Sequence, residues 1–162
     1  MNEDHKTRLV KMMYGLQDLP ELDEYGTGIF GRTIRGTWPL LRRVAETAVA
    51  DIWTWSPDKK SAGYPASVEV PTFEEFATFM LHESAHGWCY FLKKDPSQRI
   101  YVMGVNEEQV CWDVSRLACQ ALAIPYRNDL ADLCYQFYML GQSGDLVGLR
   151  KVVEKMPIHA CS

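Results

Sequence analysis

The chain has 162 residues, of which 47% are hydrophobic and 23% are charged. This length and composition are typical of one globular domain. Its 17 Lys and Arg against 21 Asp and Glu give a formal charge of −4, whereas a protein that neutralises a nucleic-acid backbone carries a basic excess. We therefore expect no nucleic-acid partner.

The sequence also argues against a membrane or secreted protein. No apolar run approaches the ~20 residues of a bilayer-spanning helix, and the charged N-terminus has no apolar signal-peptide core. Five cysteines, an odd number without CxxC spacing, are typical of reduced thiols. We expect a cytoplasmic protein with no membrane partner, and the sequence leaves its oligomeric state open.

Residues 1–50 predict a helical N-terminal part that contains a glycine-rich loop. Apolar residues recur at helical spacing over Glu3–Leu16, which predicts an amphipathic helix. A proline and four glycines make Gln17–Gly36 an irregular loop. Thr37 is the candidate N-cap of a second helix that extends to about Ala50.

The middle part, residues 51–125, begins with predicted strands. Alternating apolar residues in Ile52–Trp55 and in Tyr64–Val70 predict two short strands with a turn between them. A third strand is predicted at Arg99–Val105, after the first of two central helices.

Two central helices and a helical C-terminal part complete the prediction. Thr72 has the capping-box spacing to Glu75, so a helix begins at Phe73 and continues to about Leu92. This helix is apolar on all sides, which predicts that it is buried. The second central helix spans Asn106–Ala123, and residues 126–162 predict two more helices, Asn128–Leu140 and Asp145–Lys155. The pattern indicates a single α+β domain over residues 1–162, mostly helical with a small sheet.

The first central helix contains the pattern H-E-x-x-H at His82, Glu83 and His86. Residues i and i+4 project from one face of a helix, so two imidazoles can bind one Zn²⁺ at about 2.0–2.1 Å. Glu83 lies about 100° around the helix from His82, where it can take a proton from the water that the metal binds. The pattern predicts a zinc site with His82 and His86 as ligands and Glu83 as the catalytic base.

A catalytic zinc also needs a third protein ligand and an open position for water. Cys89 and Leu92 stand where the extended H-E-x-x-H-x-x-G-x-x-H pattern has its Gly and its third His. The third ligand must therefore come from elsewhere, and Glu107, Glu108 and Asp113 on the next helix are the candidates.

The helical positions of these three acids differ. The apolar face of their helix is set by Val110, Val114, Leu117, Ala118 and Ala121. Glu107 lies on this face, Glu108 about a quarter-turn further out, and Asp113 on the opposite flank. We predict Glu107 as the third ligand with Glu108 as the alternate, although either acid also suits a first helical turn without a metal.

An H-E-x-x-H helix followed by a Glu at the start of the next helix, 21 residues after the second His, resembles the zincin metallopeptidases. Within them it is most similar to the gluzincins, typified by thermolysin. Gluzincins often have Asn-Glu-x-x-x-Asp, in which the Glu binds zinc and the Asp orients a zinc-binding His. Asn106 and Glu107 match this pattern, but Cys111 stands in place of the Asp; the resemblance covers His82–Pro125.

The resemblance implies a zincin-like fold with the sheet beside the H-E-x-x-H helix, and a zinc-dependent peptidase whose partner is a protein or peptide substrate. In zincins an edge strand before this helix receives the substrate backbone. Ile52–Trp55 or Ser67–Val70 would serve here. The size and motif are also similar to compact intracellular H-E-x-x-H proteases, some of which cleave repressors.

Two hypotheses compete with a peptidase. One is a zinc-stabilised regulatory or binding protein with little turnover, in which Cys89 or Cys111 closes the metal site as a fourth ligand. The other is an interaction module without a metal, in which the H-E-x-x-H match is accidental.

The oxyanion-stabilising group that many zincins use is left open. Tyr64, Tyr101 and Tyr126 are candidates for this hydroxyl donor. His159 is another if the C-terminus folds back, although we expect it to be solvated.

Overall fold

The computed structural model describes residues 1–16, 38–95 and 106–161. The elements in these ranges are α1 (Asn2–Tyr14), α2 (Trp38–Glu46), β1 (Val49–Asp51), β2 (Thr54–Ser56), β3 (Ser61–Pro65), α3 (Phe73–Lys94), α4 (Glu107–Ala121), α5 (Asn128–Ser143), α6 (Leu146–Val153) and a 3-10 helix (Ile158–Cys161). The predicted α+β class, mostly helical with a small sheet, is confirmed. The predicted loop Gln17–Gly36 and strand Arg99–Val105 lie outside the described residues.

None of the helices in the described ranges combines the length and the apolar character needed to cross a bilayer.

The three strands form one sheet in the order β1-β3-β2, with β3 parallel to β1 and antiparallel to β2. The second helix ends earlier than predicted, because Val49 and Ala50 belong to β1 and pair with Gly63 and Tyr64 of β3. β2 is an edge strand that overlaps the predicted Ile52–Trp55.

The predicted strand over Tyr64–Val70 is wrong beyond Pro65. The side chain of Asn2 bonds this segment instead of a strand partner: Nδ2 donates to the carbonyls of Pro65 and Val68, each at 2.9 Å, and Oδ1 accepts from the amide of Val70 at 2.8 Å. A polar side chain from α1 therefore makes the hydrogen bonds to this backbone that a neighbouring β-strand would otherwise make.

Helix α3 is the central element of the fold. Fifteen of its 22 residues are buried, and it packs against α1, α2, α4 and the sheet, as its apolar circumference predicts. The Thr72 side chain accepts from the Glu75 amide at 3.2 Å, which confirms the predicted N-cap. The Glu75 carboxylate does not complete the capping box, since it accepts from Arg127 at 2.6 Å and contacts His159 at 2.9 Å.

Helices α3 and α4 pack closely through small side chains. Ser115 Oγ on α4 donates to the Thr78 carbonyl on α3 at 2.7 Å, and the Cys89 and Cys111 sulfurs are 4.0 Å apart. Ser115 and Cys111 are fully buried. This interface fixes how α4 is rotated relative to the H-E-x-x-H helix.

Gly87, directly after His86, lets α2 and β2 approach α3. A Cβ added at Gly87 would lie 2.6 Å from the ring of Trp55 and 2.7 Å from Val44. Since carbon atoms in contact lie about 3.5–4.0 Å apart, no larger residue fits without movement.

The C-terminal helices α5 and α6 confirm the two helices predicted after Pro125. They are joined at Gly144, whose φ of +73° is in the left-handed region that favours glycine. Leu130 and Ala131 of α5 bury against Phe79 of α3 and Trp112 of α4. The C-terminal part therefore lies beside the segment of α3 that contains the H-E-x-x-H pattern.

Candidate metal centre

His82 and His86 lie one helical turn apart on α3, as their spacing predicts. Their Nε2 atoms face each other at 3.2 Å, and the two rings are nearly perpendicular with centroids 4.8 Å apart. His82 is buried, at 3% exposure, and His86 is half-buried. Two imidazole nitrogens therefore converge on one point beside the helix.

Glu108, from the first turn of α4, completes this arrangement. One carboxylate oxygen lies 3.0 Å from His82 Nε2 and the other 3.1 Å from His86 Nε2. The Glu108 side chain is only 16% exposed. One carboxylate thus contacts both histidines at the nitrogens that face each other.

The separations between these donor atoms suit a single metal ion. Donors that each lie 2.0–2.1 Å from a tetrahedral ion are about 3.3 Å apart. The two Nε2 atoms are 3.2 Å apart, and one ligand atom from each of the three residues lies within 4.8 Å of the other two. Two imidazoles and a carboxylate are also a donor set of catalytic zinc sites. Within the described ranges, this is the one cluster of His, Cys, Asp and Glu side chains that converges in this way.

The charges at the site favour a cation. Burial opposes a positive charge on His86, but the carboxylates of Glu107 and Glu108 outweigh it and raise the pKa of His86 to about 10. Burial likewise opposes the negative charge of Glu108, yet bonds from His82 and His86 hold its pKa well below the ordinary value. A positive charge is therefore stabilised on His86, and a metal ion bound between the donors would supply that charge in place of a proton.

Glu107, the residue that the sequence favoured as third ligand, lies further out. Its Oε2 is 3.8 Å from Nδ1 of His86, the nitrogen turned away from Glu108, and its Oε1 pairs with Lys93 at 3.2 Å. The geometry therefore reverses the order of preference between Glu107 and Glu108. Asp113 is not part of the converging cluster.

The reversal has a simple cause in the rotation of α4. Its contact face against α3 passes through Glu108, Cys111 and Ser115, spaced i, i+3 and i+7. The large apolar residues alone place this face one residue earlier, a difference of about 100°. The small buried side chains at 111 and 115 were the sequence signal that could have identified Glu108.

Glu83 lies at the same site but has a different environment. It is half-buried, and its carboxylate has no hydrogen-bonded partner in the part of the chain that the structure describes. Burial raises its pKa, although the nearby His82 and His86 oppose this shift. The site therefore holds a carboxylate that is free to accept and release a proton.

A pocket of about 420 Å³ opens beside these residues. His82, Glu83 and Glu108 line it. Its other walls are mostly apolar and come from Trp53, Phe79, Trp112, Phe137, Tyr138 and Val153. The C-terminal helices thus form one side of a cavity that reaches the candidate metal ligands.

The two histidines are supported in different ways. His82 Nδ1 is buried without a hydrogen-bond partner among the described residues, and its ring stacks on Trp112 with centroids 3.6 Å apart. The gluzincin pattern would place an Asp where Cys111 lies, but Cys111 contacts Cys89 instead. Burial raises the pKa of Cys111 well above its ordinary value, so it is a neutral thiol. The pattern gave no signal for the role of Trp112.

The candidate oxyanion donors within the described ranges do not gather at this site. Tyr64 is buried against Phe76 in the core, and the Tyr126 hydroxyl donates to the Trp112 carbonyl at 3.4 Å. Tyr101 lies outside the described residues. The expectation that His159 is solvated is wrong, because it is 3% exposed and bonded to Glu75.

No protein-family model, curated protein or solved structure matches this chain.

Proposed function

We propose that this protein is a zinc-dependent hydrolase that cleaves peptide bonds, with His82, His86 and Glu108 as metal ligands and Glu83 as general base. The observation that carries this proposal is the convergence of His82, His86 and Glu108 beside a pocket that His82, Glu108 and Glu83 line. A catalytic site needs this arrangement, because a reacting group must reach both the metal and the base.

The donor set supports zinc. Two imidazoles and one glutamate hold catalytic Zn²⁺ in peptidases, with the fourth position left for water or substrate. A bound Zn²⁺ would supply a water of lowered pKa and polarise the carbonyl that is attacked. The same three side-chain types also bind Fe(II) in other enzymes, so the metal must be identified directly.

Glu83 would take the proton released in the attack on the carbonyl and then donate it to the leaving amine. A general base works best when its pKa lies near the working pH, and burial shifts the pKa of Glu83 in that direction. No other side chain among the described residues forms a hydrogen bond with the Glu83 carboxylate. Glu108 differs from Glu83, since one of its oxygens contacts His82 and the other contacts His86.

The pocket supports a substrate that presents an apolar side chain. Trp53, Phe79 and Trp112 offer aromatic surface close to the ligands, and Phe137 and Tyr138 face them from α5. Such walls exclude water and hold an apolar group in one orientation. A peptide with a large apolar residue next to the cleaved bond is therefore the proposed substrate class.

The rival hypothesis of a closed zinc site finds no fourth ligand in residues 1–16, 38–95 and 106–161. Cys89 and Cys111 contact each other, and neither joins the converging cluster in the described part of the chain. A site that opens into a pocket favours turnover over a purely structural metal.

The test begins with metal analysis of purified protein. We expect about one zinc per chain in the wild type and none in His82→Ala. Glu83→Gln should retain zinc but lose cleavage of a peptide library, by at least about 100-fold. Glu74→Gln, a change of the same chemistry on the same helix, is the matched control and should cleave normally.

Each outcome has a distinct meaning. If the wild type binds no metal, the proposal fails and the interaction module is favoured. If zinc-loaded wild type cuts no peptide, the zinc-stabilised binding protein is the better description. If Glu83→Gln cleaves as fast as the wild type, the assigned base is wrong.

A further inference from the structure

The His86 ring lies between two neighbouring carboxylates of α4. Its Nε2 is 3.1 Å from Glu108 Oε2, and its Nδ1 is 3.8 Å from Glu107 Oε2. A histidine that binds a metal through Nε2 keeps its hydrogen on Nδ1, and the partner of that hydrogen fixes the tautomer and the ring orientation. Glu107 is the acceptor placed to take this hydrogen.

Glu107 is itself held from the other side. Its Oε1 lies 3.2 Å from the Lys93 ammonium. Lys93 is seven residues after His86 on α3, two helical turns along the same face. One carboxylate at the start of α4 therefore contacts both side chains, and its charge also suits the N-terminus of that helix.

The 3.8 Å between Glu107 Oε2 and His86 Nδ1 is within ion-pair range but too long for a hydrogen bond. Shortening it to the usual ~2.9–3.0 Å of an N–H···O bond requires a movement of under about 1 Å. The Glu107 side chain is 36% exposed, so it has room for this adjustment. Glu108, in contrast, is packed between both histidines.

We propose that Glu107, anchored by Lys93, is the positioning residue that orients His86 for metal binding. This inference rests on the proposed zinc site, but not on peptide cleavage. His82 lacks such a partner: its Nδ1 makes no hydrogen bond within the described residues, and Trp112 supports its ring by stacking. His86 is half-buried and lies outside the pocket lining, so a polar partner has to fix its orientation.

The experiment measures zinc affinity by chelator competition, at one pH and ionic strength, for the wild type and four variants. Loss of an outer-sphere partner typically weakens a metal site 10–100-fold. We expect Glu107→Ala to weaken zinc binding by about this factor. Glu107→Gln should recover part of the loss, since its amide oxygen still accepts from Nδ1. Lys93→Met should weaken binding in the same direction but less.

Lys94→Met is the matched control. The Lys94 ammonium lies 4.3 Å from the centre of the Tyr90 ring, whereas Lys93 is the lysine that pairs with Glu107. Its removal should leave zinc affinity unchanged. Thermal unfolding of each metal-free variant separates a general loss of stability from a specific loss of affinity.

The absorption spectrum of the Co²⁺-loaded protein gives a readout that a merely structural role would not move. We expect Glu107→Ala to alter the ligand-field bands, because His86 would bind in a changed orientation. Wild-type affinity and spectrum in Glu107→Ala would overturn the proposal. Complete loss of binding in that variant would also overturn it, since Glu107 would then be a ligand. Tight zinc binding by a wild type that cleaves no peptide would refute the proposed activity and leave this inference intact.

Discussion

Replacing Glu108 with Gln tests the candidate metal centre most directly. Glu108 contacts both histidines at 3.0 and 3.1 Å, whereas its neighbour Glu107 reaches only the far nitrogen of His86. Gln keeps the shape of the side chain and removes its charge. We therefore expect zinc to stabilise the wild type but not Glu108→Gln.

The size of the effect follows from binding linkage. At a free zinc concentration about 100 times Kd, a ligand that binds only the native state adds about 2.7 kcal/mol. For a chain of this size each kcal/mol raises the melting temperature by about 2–4 °C, so the wild-type shift should be about 5–11 °C. Glu108→Gln should show less than about 2 °C.

Glu107→Gln is the matched comparison at the adjacent position. Glu107→Gln should keep part of the affinity that Glu107→Ala loses, so its affinity should be less than about 100-fold weaker. The same zinc concentration should then add more than about 0.4 kcal/mol. The assay is thermal unfolding of each protein with and without zinc. Each variant is compared with its own metal-free form, because Glu108→Gln also removes the partner of a charged His86. A full shift in Glu108→Gln together with no shift in Glu107→Gln would refute the ligand assignment.

Three further changes test other parts of the fold. Burial lowers the pKa of His159 below its ordinary 6.5. The unfolded chain therefore takes up the proton first, and the free energy of unfolding should fall as the pH drops from about 7 to about 5. In urea unfolding, this pH dependence should be shallower for His159→Gln than for the wild type, and equal slopes would contradict the reasoning. Glu75→Gln removes the charge that contacts both Arg127 and His159 and should lower the free energy of unfolding by about 1–3 kcal/mol. The neighbouring change Glu74→Gln should lower it by less than about 0.5 kcal/mol. Equal urea midpoints for the two variants would argue against a stabilising cluster. Gly87→Ala should lose up to about 2 kcal/mol in the same assay, because overpacking against Trp55 and Val44 costs about 1–3 kcal/mol and the helix-propensity gain is about 1 kcal/mol. A gain in stability would mean that these side chains move aside.

The H-E-x-x-H spacing was enough to predict that His82 and His86 share a face, because helix geometry is local. The Thr72 cap was predictable because a hydroxyl precedes the helix, and the position of α3 in the core was predictable because the helix is apolar on all sides. The sheet was less predictable, since the strands are only three to five residues long and Asn2 satisfies part of the adjacent backbone from a distant helix.

The sequence by itself determined that two imidazoles and a carboxylate would project from one buried helix. Only the tertiary structure decided which acid joins them, because a rotation of α4 by one residue exchanges Glu107 and Glu108. Cys111 and Ser115 set that rotation through contacts with a helix more than 20 residues away in the chain. Long-range packing likewise placed α5 and α6 beside the candidate ligands and formed the apolar pocket, which no local pattern could predict.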